Sequence, residues 1–398
     1  DLIPQERIDD VVYFNPADPK MSIGLNMIES NPNYPLEQTF IINELLEIMD
    51  KLYDLKTTGG PIFEQYMRNA LSLLMSDREE QWTLVEVPRV LIDSDFREML
   101  LARCTNVIVK DFWEKEASKA EGDLALKNMA PYINSKLSPF LTNDFVRPII
   151  GQRNSTLNFK DIMNNRKIFI VNLAKGILGD INAYLLGMII VGRIALSAFA
   201  RIEIPEEQRE DFYLYIDEFQ NITTKTIPQI LSEARKFRLS LIIAHQFVAQ
   251  VKEDIRDAIF GNVGSMVSFR ISSQDGELLQ KYFAPVFSSF DLVGLDNFNA
   301  YVRLIIDGQP ARAFNIITIK PEVNAISFKD RIVDAPNAKY SKLRSEVDED
   351  ITRRFKLADK EVEQGEEVQE KEEVQEDEEE MSEEDKQMLK EFLESIKS

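Results

Sequence analysis

Apolar residues fall in two arrangements along this chain. In residues 11–14, 167–173, 212–216, 239–244 and 266–271 they run almost unbroken, whereas between these runs they recur at three- and four-residue steps. Unbroken apolar runs alternating with helical periodicity are what a parallel sheet covered on both faces requires. The spacing predicts strands at those runs, a short helix over 3–8, a long one over 180–202, one opening near Pro228 and one around 251–260. A hairpin closes the pattern, with 300–306 and 313–318 joined through Asp307-Gly308.

Residues 36–152 break the alternation. Phe40, Ile41, Leu45, Ile48, Met49 and Leu52 share one helical face, as do Phe63, Tyr66, Met67, Ala70, Leu71 and Leu74, with Gly59-Gly60-Pro61 between them. Helical runs over 96–104, 109–119 and 124–141 make this a nearly all-helical block set inside the strand-bearing sequence. Beyond about Asp334 the apolar density collapses into Glu, Gln, Lys and Val, a composition that cannot offset the entropy of ordering. Four regions follow: 1–35, 36–152, 153–335, and a disordered acidic tail over 336–398. Within the tail, Ser382-Glu-Glu-Asp385 resembles a capping box, and Met388, Leu389, Phe392, Leu393 and Ile396 predict a terminal amphipathic helix.

A chain of 398 residues is long enough for two or three domains, each burying its own core. Its formal charge is -21, but residues 359–398 hold 18 acidic against 5 basic groups, which leaves the rest only mildly acidic at 50 against 42. A single cysteine, Cys104, excludes an internal disulfide and cysteine-rich metal sites and points to a reducing compartment. A single histidine, His245, excludes His-rich metal sites. The most apolar stretch, 184–200, is shorter than a usual membrane span and carries Arg193 in its middle, so it reads as a buried helix. The chain opens on Asp1, without a start Met, as the remainder of a longer protein would.

The first candidate site is the end of the run 212–216, where Asp217 and Glu218 follow directly. Charge at the carboxyl edge of a parallel sheet is costly, and ligands of open α/β folds bind there. In phosphoryl-transfer chemistry the first carboxylate holds Mg²⁺, often through water, and the second orients or deprotonates the attacking water. A solvated strand end accounts equally well for the pair alone. The next run, 239–244, ends in His245-Gln246 and so brings an amide to the same edge, where it can sense a terminal phosphate. His245 has no catalytic partner in the sequence and reads as local packing. The intervening helix ends in Arg235-Lys236-Phe237-Arg238, a basic cluster suited either to phosphoryl charge from a neighbouring subunit or simply to a helix C-terminus. No Gly is followed by Lys, so the phosphate-cradling loop G-x-x-x-x-G-K-[ST] is absent from 1–398 and is expected upstream of Asp1.

These features resemble a known family. Residues 3–18 (IPQERIDDVVYFNPAD), 60–71 (GPIFEQYMRNAL), 171–179 (VNLAKGILG), 215–221 (YIDEFQN), 232–236 (SEARK) and 244–246 (AHQ) are similar, in content and order, to type IV secretion coupling ATPases. These are the TraG/TraD-like conjugative DNA-transfer proteins of the HerA–FtsK superfamily. The resemblance covers roughly residues 1–320. It implies an α/β fold with a RecA-like P-loop NTPase core, an inserted all-helical domain, and a hexameric ring that moves DNA through its centre with ATP and Mg²⁺. By matching positions, Asp217 becomes the Mg²⁺–ATP carboxylate, Glu218 the catalytic base, Gln246 the sensor and Arg235 the finger reaching a neighbour's ATP. Arg270 is a weaker candidate for cofactor contact, and Lys225, on the loop after the acids, for a DNA-facing pore group. The implied partners are DNA, further copies of the chain, and a relaxase or secretion-channel proteins reached through the tail. The implied location is cytoplasmic, at the inner face of the membrane through an upstream region. A chromosomal HerA-like translocase, a protein-secreting ATPase and a catalytically inactive scaffold share the same pattern.

Overall fold

The computed structural model describes residues 2–31, 35–58, 60–122, 125–224, 226–321 and 327–356. In chain order its strands are β1 (Val11–Phe14), β2 (Met21–Ile23), β3 (Ile168–Val171), β4 (Phe212–Ile216), β5 (Leu239–Ile243), β6 (Met266–Ser268), β7 (Asn299–Arg303), β8 (Ile305–Ile306), β9 (Gln309–Pro310), β10 (Phe314–Ile317) and β11 (Ser341–Leu343). β1 pairs in parallel with β3, and β4 with β5, as the unbroken apolar runs predict. β6 departs from that pattern: it lies antiparallel to β7, Val267 opposite Val302, in a three-stranded sheet completed by β10. An apolar run specifies burial but not direction, and here β6 returns to β7 through the helices Ser273–Phe283 and Ser289–Val293. The β8–β9 hairpin turns at Asp307 and Gly308, φ 49° and 77°, the paired positive φ of a type I′ turn.

Every element between Pro35 and Ile150 among the described residues is helical. The helices Pro35–Tyr53 and Gly60–Ser76 match the two apolar stripes, and Phe63, Met67, Ala70, Leu71 and Leu73 are fully buried. The long apolar helix Asp180–Phe199 is mostly inside the fold. It is long and apolar enough to cross a membrane, but two thirds of its most apolar window is buried, and Arg193 donates to the carbonyls of Asn26, Met27 and Glu29.

Three expectations are corrected. The helical block and strands β1–β5 do not bury separate cores: one cluster of buried side chains runs from Val12 and Phe14 through Phe63 and Phe140 to Phe219 and Ile259, while Leu279, Phe283 and Leu292 form a smaller cluster beside β6 and β7. Cover on both sheet faces holds for one face only, because alternate residues of β4 and β5 stay open, with Tyr213 57% and Tyr215 72% exposed. Finally, the chain stays ordered well past residue 336. The helix Lys329–Tyr340 leads into β11, which pairs antiparallel with β2, and a helix over 344–356 follows. Composition hid this segment because few residues do the work: Val347 and Ile351 are buried, and Arg354 reaches Glu86 at 2.7 Å inside the helical block. The acidic segment 359–398, with the terminal helix expected from its sequence, lies outside the described residues.

Candidate functional site

The β4–β5 ladder extends one step past both strands, with the Ala244 amide donating to the Ile216 carbonyl at 2.9 Å and the Phe219 amide to the Ala244 carbonyl at 3.0 Å. Glu218 and the segment 244–246 are therefore locked side by side at the carboxyl edge. Between them the chain reverses: Glu218 adopts φ 48° and ψ 41°, the left-handed conformation that L side chains disfavour, and Phe219 behind it is fully buried. Burying Phe219 offsets that strain and turns the Glu218 carboxylate back to the edge.

There both carboxylate oxygens are held. Gln246 Nε2 donates to Glu218 Oε1 at 2.6 Å, and Gln220 Nε2 donates to Glu218 Oε2 at 2.7 Å. The Glu218 amide donates to Asp217 Oδ1 at 2.9 Å, and Asp217 itself is exposed. Asp217, Glu218 and Gln246 thus share one rim, as their positions in the sequence predict. His245 is half-buried, and burial holds its imidazole below the usual value against the opposing pull of Asp275.

The basic candidates lie elsewhere. Arg235 belongs to the turn Ala234–Phe237 that precedes β5, so a five-residue strand of roughly 16 Å separates it from the Gln246 edge. Its exposed side chain does not meet Glu218 within the chain. Arg270 is also exposed and donates to Asn297 Oδ1 at 3.2 Å. Lys225 lies outside the described residues.

Sequence reasoning missed three groups behind the rim. Gln220 holds the second Glu218 oxygen, and its place two residues on within the turn is a local signal for that. Lys51 Nζ donates to the Gln220 carbonyl at 3.3 Å and to Thr223 Oγ1 at 3.2 Å. Glu44 accepts from Thr224 Oγ1 at 2.9 Å and from Thr226 Oγ1. These last contacts join residues 169 to 182 apart, beyond any local pattern. A cavity of about 620 Å³ lies beside this junction, lined by Glu44, Glu47, Asp50, Glu64, Arg68 and Thr226, and does not include Asp217 or Glu218.

Residues 211–284, which carry β4, the rim and β6, match the sequence family described as the TraM recognition site of TraD and TraG. This segment is TraG/TraD-like. The fold of the chain is that of TrwB, a bacterial conjugative coupling protein. The unbound form of TrwB is 14% identical, with 80% of this chain and 77% of that chain covered at a TM-score of 0.55. TrwB with ADP and Mg²⁺ is 15% identical over 80% and 76%, at 0.54, and TrwB with a non-hydrolysable GTP analogue is 14% identical over 80% and 76%, at 0.52. No protein of curated function matches the sequence. The TraG/TraD-like segment contains Asp217, Glu218, Arg235, Gln246 and Arg270.

Proposed function

We propose that this chain belongs to an ATP-driven motor that moves DNA in conjugative transfer, working as a homo-hexameric ring at the inner face of the cell membrane. The observation that carries the reading is the 2.6 Å contact from Gln246 Nε2 to Glu218 Oε1 at the carboxyl ends of two neighbouring parallel strands. A carboxylate held there from both sides is fixed in aim, with Gln246 and Gln220 as its guides. Glu218 takes the proton of the attacking water, and Gln246 ties the position of that base to the terminal phosphate.

The donor set fits Mg²⁺–ATP. No group of three or more metal-ligating side chains exists among the described residues, and Mg²⁺ on a nucleotide needs only one or two carboxylates besides phosphate and water. Asp217, exposed beside Glu218, is that carboxylate, and the ion would neutralise charge developing on the phosphates. Arg235 acts in trans, on the site of the adjacent copy, with Arg270 as the lesser candidate. DNA contact is assigned to Lys225 by its match to the resemblance alone. The helical block over 36–152 is an insertion in the ATPase core, and the family description supports a relaxosome protein as partner.

The test is Glu218→Gln in the full-length protein. We expect ATP binding to persist while kcat falls about a hundredfold or more. Turnover at the wild-type rate refutes the role of Glu218.

A further inference from the structure

The loop after Glu218 is polar and yet buried. Gln220, Thr223, Thr224 and Thr226 are 8%, 1%, 4% and 4% exposed. Buried polar groups need partners, and here the partners come from the helical block rather than from the strands. Lys51 takes the Gln220 carbonyl and Thr223, while Glu44 takes Thr224 and Thr226. Seven residues, two helical turns, separate Glu44 from Lys51, so both point from one face of the helix Pro35–Tyr53.

The other side of the junction is cleared by two glycines on the helix Asp180–Phe199. A Cβ at Gly187 would stand 2.9 Å from Ile222 Cγ2, and one at Gly192 would stand 3.0 Å from Glu44 Cγ. The loop is thereby gripped between two long helices. Gln220 links this grip to the rim, because its carbonyl takes Lys51 while its side-chain amide holds Glu218 Oε2. A displacement of the helix Pro35–Tyr53 reaches the carboxylate through a single residue.

We infer that Lys51 and Glu44 are positioning residues for Glu218, through which the helical block sets the rate of nucleotide hydrolysis. This rests on the hydrolytic reading of Glu218 given above. Neither residue touches nucleotide; each fixes the loop that aims the base.

The experiment uses the full-length protein and compares wild type with Lys51→Met, Lys51→Arg and the double variant Thr224→Val/Thr226→Val. ATP hydrolysis kinetics, ATP affinity and melting temperature are measured on each, with Glu218→Gln alongside. In Lys51→Met and in the double variant kcat falls about tenfold while KM and ATP affinity stay near wild type, and Lys51→Arg recovers most of the rate. A fall in kcat that tracks a fall in melting temperature, without rescue by arginine, makes the contacts merely structural and overturns the inference. So does wild-type kcat in both Lys51→Met and the double variant when Glu218→Gln is slow. If Glu218→Gln itself turns over normally, it is the hydrolytic reading that fails.

Discussion

Glu44 is where burial and charge conflict most directly. Burial pushes its carboxyl above the usual range, against the Thr226 and Thr224 hydroxyls that favour the anion. An acid whose folded pKa exceeds its unfolded value keeps its proton longer in the fold. Stability is therefore undiminished below the unfolded value of 4.5 and is lost as pH rises through the folded value. Glu44→Gln removes that titration. Its stability relative to wild type should grow as pH rises across this window and then level off, which urea unfolding at a series of pH values measures. A difference independent of pH would show that the carboxylate ionises as readily inside the fold as in water. At this scale the sequence was legible where chemistry and strand ends coincide, at Asp217, Glu218 and Gln246. It was silent on Glu44 and Lys51, whose partners lie 169 to 182 residues away.

Among elements, legibility followed length and apolar content. β4 and β5 announce themselves through FYLYI and LSLII, and the helix Gly60–Ser76 through its stripe. β2 and β11 do not, being three residues each and bearing Ser22, Ser341 and Lys342, polar side chains that a short edge pairing tolerates. The helix over 344–356 was hidden for a different reason, since its attachment depends on a buried ion pair. Arg354 and Glu86 are 3% and 1% exposed and meet at 2.7 Å. Removing one partner strands the other as an uncompensated buried charge. Arg354→Met should lower stability by about 3–5 kcal/mol, and adding Glu86→Gln should restore part of the loss. Denaturant unfolding of wild type, single and double variants checks the order; a double variant weaker than the single would contradict it.

For the whole molecule, the separation of Arg235 from Glu218 along β5 becomes a prediction about assembly. Under the proposed roles, Arg235 at one edge and Glu218 at the other cannot serve one site within a single chain. Full-length Arg235→Ala and Glu218→Gln subunits, each slow alone, should regain part of the ATPase rate when mixed, because a Glu218 from one copy then meets an Arg235 from the other. No gain at any mixing ratio would remove Arg235 from catalysis in trans. Length suggested two or three domains with their own cores, because it reports how much chain exists and not which elements share apolar surface.

The continuous cluster from Val12 to Ile259 has a consequence for how such a chain changes over time. A block joined only by its two crossing points could be exchanged like a cassette between relatives. Here a graft would leave Phe14, Met49 and Phe219 facing foreign neighbours, so variation in the helical block and variation behind the strand ends must proceed together.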